Sequence, residues 1–550
     1  MKDKHSGLFC DFALLNGKVH TMDKSLSVAE ALAVHKSRIV FIGKSDDIKP
    51  LIGKKTRVVD AKGKTVLPGL IDAHHHFQIA SRTLNLMAQC HTPPHESIDD
   101  VIRVLREWAD QIPEDEWIIG QGCLLQDRKL KEKRFPTRHD LDKASKTRPV
   151  VLRFGMHVTL LNSKALEMLH ITKDSPTPKG ASIETDPKTN EPTGVTRDFW
   201  NFIPIPEATD EQLSQAMETY MLKYCAANGV TSIHDLPESR AAIEIYQKLL
   251  AKNQGKLNVR LRSYYEVPNM IQMDQLLSTG LSKGFGNEYI RLGGVKIFVD
   301  GGMTSANALF HDPYSFSKDH HGKLAIDPET LKLYVSQAHQ ADLQVLMHAA
   351  GDKANDIALD AVETAFKMHG VRDHRSRIEH MGNVYPQMHR FERAKKIGVL
   401  PVPNMGFINS WADQLVDLVG EERSSNGFWC RKLIDNGFPI PGNSDATGTH
   451  PENSNPFFCM ARAINRKTFS GRLISPEEKI SVTEAVRMYT NYAAFAGFEE
   501  HEKGSLEVGK YGDLIVVSEN PWDTPDNQIE NIKTLCTVVG GRVIYNVANY

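Results

Sequence analysis

The middle of the chain alternates short apolar segments with amphipathic helical segments, and this pattern constrains the fold more than any other feature. Such an alternation is typical of parallel strands covered by helices, the α/β class. Helical patterns cover residues 210–228, 328–341 and 355–369. We predict strands at residues 66–74, 231–234, 259–265, 292–299, 344–348, 377–380, 398–401 and 438–443. Eight such strand–helix units would close a (β/α)8 TIM-like barrel.

The two ends of the chain carry short strand patterns separated by turns, among them a hairpin around Asn16-Gly17. Because each end is thin for an independent core, we expect both termini to form one small β-sandwich domain. The predicted organisation is residues 1–65 in that domain, 66–77 in barrel strand 1, 78–215 in an inserted α/β subdomain, 216–500 in the rest of the barrel and 501–550 again in the β-sandwich.

The charge and cysteine content exclude several classes of protein. The formal net charge is −2, so no basic surface for nucleic acid or for an anionic membrane is expected. No stretch reaches the roughly 18 apolar residues of a membrane span, and the start resembles no signal peptide. The seven cysteines show no C-x-x-C pair, which favours a reducing, cytoplasmic location. We expect a small-molecule substrate as the partner; the oligomeric state stays open, a homodimer being one option.

The first predicted strand ends in three consecutive histidines. Because strand side chains alternate, His74 and His76 face one way and His75 faces the other. Two imidazoles on one side of a strand end suit a divalent metal, although a polar loop is the alternative reading.

Later strands end in the same kinds of residue. Lys296 interrupts an apolar strand, His348 and His380 each end one, and Asp445 follows the last. A single buried histidine is more often a core residue than a ligand. Four histidines, a lysine and an aspartate at strand ends together predict a metal site on the C-terminal face of the barrel.

The whole chain resembles the amidohydrolase superfamily, specifically its YtcJ-like branch (amidohydrolase family 3). The order and spacing of the matching blocks are specific. These blocks are residues 68–77 (PGLIDAHHHF), 162–166 (NSKAL), 192–194 (PTG), 295–301 (VKIFVDG), 348–352 (HAAGD), 377–380 (RIEH) and 504–514 (GSLEVGKYGDL).

The resemblance implies one or two divalent metals, usually Zn²⁺, in the barrel. His74 and His76 would bind the first metal, and His348 and His380 the second. Lys296, carboxylated by CO₂ to a carbamate, would bridge the two metals. Asp445 would be both a ligand and the general base. Lys296 and His380 would join Asp445 in catalysis.

The implied reaction is hydrolysis of a C–N bond in an amide, formamide or carbamate-type small molecule. A metal would acidify a water molecule, and Asp445 would take its proton and pass it to the leaving nitrogen. Two alternatives stay open: the same metal barrel catalysing decarboxylation or isomerisation, and a barrel scaffold without catalysis.

Near the expected substrate pocket the chain departs from the family pattern. Residues 401–404 read PVPN where Q-P-x-H is usual, so a pocket histidine is missing. Asp352 is a candidate acceptor for His348, with helix N-cap as the rival role. For Phe407 and Trp411, packing in the core is the alternative to a role in the pocket. The candidate substrate-binding residues are His157, Asp352, Asn404, Phe407, Trp411 and His450.

Overall fold

Seven parallel strands form one continuous sheet in the computed structural model, which describes residues 9–155, 158–177, 181–197, 199, 203, 206–446 and 450–547. Neighbours in the sheet are also neighbours along the chain, so every connection is a crossover of the kind that a (β/α)8 barrel uses. The strands are β1 (Leu70–His75), β2 (Val230–Asp235), β3 (Arg260–Glu266), β4 (Ile290–Phe298), β5 (Gln344–His348), β6 (Arg377–Glu379) and β7 (Leu400–Val402).

The predicted eighth strand, residues 438–443, is not a regular strand. Pro439 and Pro441 have no N–H to donate to a strand ladder, which explains the irregular backbone. The end of this segment and the residues after it still lie beside β1, since Ala73 N donates to Gly442 O over 3.0 Å and Asp445 N donates to His74 O over 3.0 Å. It therefore occupies the eighth position without the regular pairing.

The predicted first strand, residues 66–74, is two strands in two sheets. Thr65–Pro68 belongs to the terminal β-sheets, and β1 begins after Gly69. A Cβ at Gly69 would lie 2.2 Å from Thr231 Oγ1, so only glycine fits where the chain passes between the sheets. The apolar pattern runs on through this point, which is why the sequence shows no break.

The two ends of the chain build two further sheets. Leu514–Val517 pairs antiparallel with Thr65–Pro68, so one sheet contains strands from both termini. Leu14 and Val516 belong to the apolar core that these sheets share. The four-stranded sheet contains Phe12–Leu15, Ala31–His35, Arg38–Gly43 and Arg57–Asp60. The six-stranded sheet contains Lys18–His20, Val28–Ala29, Thr65–Pro68, Leu514–Val517, Thr534–Val539 and Arg542–Asn546.

The region between β1 and β2 has its own sheet and its own core, which includes Leu105 and Leu152. The helix Phe77–Asn85 begins at the end of the segment predicted as barrel strand 1, and it packs with the helix Asp210–Tyr220 against β2. The strands of the inserted sheet are Ala88–Gln89, Ile118–Gly122, Val150–Phe154, Val158–Leu161, Ser182–Thr185 and Pro192–Arg197.

Helices cover the outside of the barrel and fill the connections. Within the described residues, none of them combines the length and the apolar character that a bilayer crossing requires. The α-helices are Ser45–Ile48, Phe77–Asn85, Ile98–Ala109, Arg138–Leu141, Ser163–Met168, Asp210–Tyr220, Arg240–Lys252, Met273–Ser278, Pro328–Gln340, Asp352–His369, Met388–Lys396, Phe407–Trp411, Leu415–Ser425, Arg431–Asp435, Pro456–Asn465, Val482–Arg487 and Ala493–Ala496.

A buried ion pair joins the barrel to the C-terminal segment. Arg260, at the start of β3, donates from Nε and Nη2 to the two carboxylate oxygens of Asp513, over 2.7 and 2.9 Å. Both side chains are buried, and Gly540 N also donates to Asp513. Two parallel hydrogen bonds in a buried setting fix the relative position of the two segments.

Replacing Asp513 with alanine should lower the free energy of unfolding by about 3–5 kcal/mol, because Arg260 would keep its charge in a buried position without its partner. Urea denaturation followed by circular dichroism measures this difference. Asp46→Ala, which removes an exposed carboxylate 2.7 Å from Lys49, is the matched control and should leave the midpoint unchanged. Equal midpoints for both variants would show that the buried pair does not hold the two segments together.

Candidate metal centre

Three histidines converge on one carboxylate at the C-terminal end of the barrel. Asp445 Oδ1 lies 3.4 Å from His74 Nε2 and 3.5 Å from His76 Nε2, and Asp445 Oδ2 lies 4.0 Å from His380 Nε2. The ligand atoms of His74, His380 and Asp445 all lie within 4.8 Å of one another. Two imidazoles and a carboxylate at this spacing are a donor set that a divalent metal can use.

The ring of His74 is oriented by a buried carboxylate. His74 Nδ1 lies 2.6 Å from Glu379 Oε2, and the other oxygen of Glu379 accepts from Arg377 Nε over 2.7 Å. Because Glu379 can only accept, Nδ1 of His74 carries the proton and Nε2 keeps its lone pair toward Asp445. Glu379 lies inside the RIEH block, but no feature of the sequence marks it as the partner of His74.

An asparagine cluster orients His380 in the same way. His380 Nδ1 lies 2.8 Å from Asn404 Oδ1, which also accepts from Asn383 Nδ2 over 2.9 Å. The amide nitrogen of Asn404 donates in turn to Asn443 Oδ1. Nε2 of His380 is therefore the nitrogen left with a lone pair toward Asp445. Asn404, expected in the substrate pocket, is a buried positioning residue for His380.

Burial and neighbouring groups shift the pKa values of His74, His380 and Asp445 below their ordinary values. Burial is the largest effect that lowers the pKa of His74 and His380 below the ordinary histidine value. Burial alone would raise the pKa of Asp445, but the imidazoles, His74 foremost, hold this pKa below its ordinary value. Neutral imidazole and ionised carboxylate are the protonation states that bind metals.

Two residues of the centre have a left-handed backbone. His380 has φ of 73° and Asp445 has φ of 46°. Positive φ is uncommon for residues other than glycine, and such residues concentrate at functional sites. The surrounding hydrogen bonds therefore hold both side chains in place at a cost in backbone energy.

Lys296 points from β4 into the same buried space. Its Nζ is buried without a hydrogen-bond partner among the described residues, and it lies 5.1 Å from the centre of the Phe298 ring. Burial lowers the pKa of Lys296 to about 8. A buried cation without a partner is costly, so this position favours the neutral amine or a modified side chain.

His348 lies beside His380, with ring centres 4.6 Å apart. Its Nε2 lies 3.4 Å from Gly301 O and 3.6 Å from Asp300 Oδ1. Asp300 itself accepts from the backbone N–H groups of Leu309, Ala350 and Gly351 over 2.8–3.0 Å. Asp300 therefore ties the loop after β4 to the start of the helix after β5, next to His348.

Asp352 has neither of the two roles considered for it. Gly351 is the N-cap of the helix Asp352–His369, and Asp300 rather than Asp352 faces His348. The carboxylate of Asp352 accepts from His311 N over 2.9 Å and lies 3.5 Å from Arg390 Nη2. Asp352 follows closely after His348 in the sequence, so the sequence alone does not show which carboxylate faces His348.

The remaining pocket candidates lie in mixed surroundings. Phe407 and Trp411 are buried in the main apolar core, although the Phe407 ring is stacked 6.1 Å from that of His380. His450 Nε2 lies 2.8 Å from Pro93 O of the inserted region. His157 lies outside the described residues.

His75 faces away from the centre, as strand alternation predicts, and contacts the neighbouring residues Asp72 and Ser444.

Glu379→Gln should weaken the binding of Zn²⁺ about 10–100-fold, since an amide no longer fixes His74 with a charged acceptor. Titration of metal-free protein against a competing chelator measures the affinity. Glu244→Gln, an exposed glutamate on the helix Arg240–Lys252, should bind as the wild type does. An unchanged affinity in Glu379→Gln would mean that His74 is not a ligand oriented by Glu379.

A family model described as the amidohydrolase family matches residues 57–545, most of the chain. Protein LONG AFTER FAR-RED 3 of Arabidopsis thaliana is 30% identical over 98% of this chain and 92% of its own length. The N-substituted formamide deformylase of Arthrobacter pascens is 28% identical, covering 97% of this chain and 98% of its own. YtcJ of Bacillus subtilis is 26% identical, covering 96% and 98%.

Solved structures show the same fold. The crystal structure of an uncharacterized metal-dependent hydrolase from Pyrococcus furiosus aligns with a TM-score of 0.71 and 25% identity, over 93% of this chain and all of that chain. The family-model match and the relatives that cover nearly the whole chain agree with the barrel fold described above. The chain belongs to the amidohydrolase family, as a YtcJ-like metal-dependent hydrolase.

Proposed function

We propose that the protein hydrolyses the C–N bond of an N-substituted formamide or a related amide or carbamate. The observation that carries the proposal is the convergence of His74, His76 and His380 on Asp445. The Nδ1 atoms of His74 and His380 already have hydrogen-bond partners, so their Nε2 atoms are the ones directed at the cluster. A relative that covers nearly the whole chain is an N-substituted formamide deformylase, which supports this substrate class.

The residues fit a divalent metal, with zinc as the proposed ion. His74, His76 and Asp445 form one group of donors, and His348 and His380 form a neighbouring group. The Nδ1 atom of His76 is buried without a hydrogen-bond partner among the described residues, so the donor set contains an unmatched polar atom. When bound, zinc would lower the pKa of a water molecule and polarise the substrate carbonyl.

Lys296 is proposed to act as a carbamate. Burial is the largest cause that lowers the pKa of His74, His348 and His380, and the positive charge of Lys296 is a further cause for all three. Lys296 therefore lies among the proposed ligands. A cation there would oppose a metal. Attack of the neutral amine nitrogen on CO₂ forms an N–C bond, moves one C–O electron pair onto oxygen and releases one proton. This step changes the charge of the side chain from 0 to −1; the ammonium form first loses a proton to give the amine, so the overall change is from +1 to −1 with two protons released.

Asp445 is proposed to handle the proton. Its carboxylate stays ionised in the cluster and can accept a proton from the attacking water. The same proton then passes to the substrate nitrogen as the C–N bond breaks, so that the amine leaves in a neutral form. For a formamide and one water molecule, the products are formate, the neutral amine and one proton, which is released to solvent.

Protein prepared with ¹³C-labelled bicarbonate should show a carbamate carbon in its ¹³C NMR spectrum, and Lys296→Ala should lack this signal. This readout does not depend on turnover. Lys283→Ala, which removes a lysine that forms an ion pair with Asp342 outside the centre, should keep the signal. A signal that persists in Lys296→Ala, or none in the wild type at saturating bicarbonate, would refute the carbamate.

Asp445→Asn should reduce kcat for N-alkylformamides by at least about 100-fold, because the amide cannot accept a proton. Release of formate, followed in a coupled assay, measures the rate. Asp435→Asn, an exposed aspartate 2.7 Å from Arg431, is the control and should keep wild-type rates. Wild-type turnover in Asp445→Asn would remove the residue from proton transfer, and absence of formate release by the wild type would refute the substrate class.

A further inference from the structure

Asp72 of β1 is a buried carboxylate that is not among the proposed metal ligands. Its Oδ1 accepts from His74 N over 3.3 Å and from Ser444 N over 3.0 Å. Its Oδ2 accepts from Ser444 Oγ over 2.5 Å and lies 3.1 Å from His75 Nδ1. Because an ionised carboxylate can only accept, Ser444 Oγ and His75 Nδ1 both donate to Oδ2. One buried side chain therefore joins β1 to the residues after the predicted eighth strand.

An irregularity of β1 brings His75 to this carboxylate. Asp72 pairs with Ile233 of β2 and His75 pairs with Asp235, so β1 has one residue more than β2 between these two pairs. Strict alternation would place residues 72 and 75 on opposite faces of the strand, and an extra residue re-aims the side chains that follow it. His75 thus donates to Asp72, while the ring of His74 faces Asp445.

Ser444 passes the restraint on to Asp445, its neighbour in the chain. The hydroxyl oxygen of Ser444 also accepts from Ala446 N over 3.1 Å, so the residues on both sides of Asp445 are tied to each other and to Asp72. Asp445 itself has a left-handed backbone, with φ of 46°. A residue other than glycine keeps such a conformation only where the surrounding structure over-determines it.

The same carboxylate restrains the opposite side of the cluster. Asp72 Oδ1 binds the backbone N–H groups of both His74 and Ser444, and the His74 ring is 3.4 Å from Asp445 Oδ1. The eighth position of the barrel has no regular strand pairing that would fix the distance between these two segments. Hydrogen bonds from one buried side chain fix it instead.

We propose that Asp72 is a positioning residue: acting through Ser444, it holds the carboxylate of Asp445 beside the rings of His74 and His76. In this role Asp72 acts on the reaction only by way of Asp445. The inference rests on the proposed function, in which Asp445 is a donor to the metal and accepts the proton of the attacking water.

The visible absorption spectrum of cobalt-substituted protein tests this role without turnover, because the d–d bands of Co²⁺ report the ligands and their geometry. Asp72→Ala should change the positions and intensities of these bands. Asp513→Ala is the matched control, since Asp513 is also buried and accepts from Arg260 and Gly540 N. Arg260 is at the start of β3, whereas the metal centre is at the ends of the strands, so this variant should keep the wild-type spectrum.

Ser444→Ala removes only the hydroxyl group and keeps the bond from Ser444 N to Asp72, so it carries the test where Asp72→Ala does not fold. Its spectrum should change in the same direction and by a smaller amount. An unchanged spectrum in Ser444→Ala or in folded Asp72→Ala would overturn the proposal. An equal change in Asp513→Ala would overturn it as well, because Asp72 would then only stabilise the fold.

Turnover separates this proposal from the proposed function. With N-alkylformamides, Asp72→Ala should lower kcat about 10–100-fold at nearly constant KM, because displacement of a reacting group costs a rate factor of this order. A rise in KM at constant kcat would overturn the positioning role. Wild-type rates and a wild-type spectrum in Asp72→Ala would refute that role and leave the proposed function intact. A changed spectrum, with no release of formate by the wild type, would refute the proposed function and leave the positioning of Asp445 intact.

Discussion

The buried guanidinium of Arg377 connects three strands in the middle of the barrel, and the order of the metal centre depends on it. Arg377 Nε donates to Glu379, Nη2 donates to Ala73 O over 2.7 Å and Nη1 lies 2.9 Å from His234 Nδ1. Arg377 and Glu379 are fully buried. A charge in such a place is tolerated only when its donors are matched, so β1, β2 and β6 are held in one arrangement.

This arrangement determines which ring nitrogen of the site histidines faces Asp445. Because Arg377 fixes Glu379, Glu379 fixes the proton on His74, and the ring presents its lone pair to Asp445. Asn404 does the same for His380 without a charge. The centre is thus a set of buried imidazoles around an ionised carboxylate, with the buried Lys296 beside it. A divalent cation balances such a set, and the strained backbone of Asp445 shows that the fold holds the carboxylate there against a local preference.

The sequence predicts the parallel architecture well because apolar strands recur with helices between them. The strand Gln344–His348 has the predicted bounds, and β2 to β4 differ from prediction by one or two residues at each end. The family motifs also identify the residues that converge on Asp445. Two strand predictions were wrong for local reasons. Prolines interrupt the predicted eighth strand, and Gly69 divides the predicted first strand between two sheets.

The partners of the site residues were harder to predict, because they come from other strands. Periodicity shows which face a residue occupies but not which side chain lies opposite. Asp352 is near His348 in sequence, yet Asp300, 48 positions before His348, is the carboxylate that faces it. Asn404, a predicted substrate-binding residue, contacts His380, and no motif indicates this contact. Loops and the inserted region shape the substrate pocket, so its chemistry follows from contacts that no motif encodes.

X-ray absorption at the zinc edge of zinc-loaded protein tests most directly whether these side chains hold the metal. We expect nitrogen and oxygen neighbours at about 2.0–2.2 Å, together with the outer scattering of several imidazole rings. In the described part of the chain every cysteine is free and buried, and none belongs to the cluster around Asp445. A sulfur neighbour at about 2.3 Å, or a spectrum without imidazole scattering, would contradict the assignment of the metal centre to these residues.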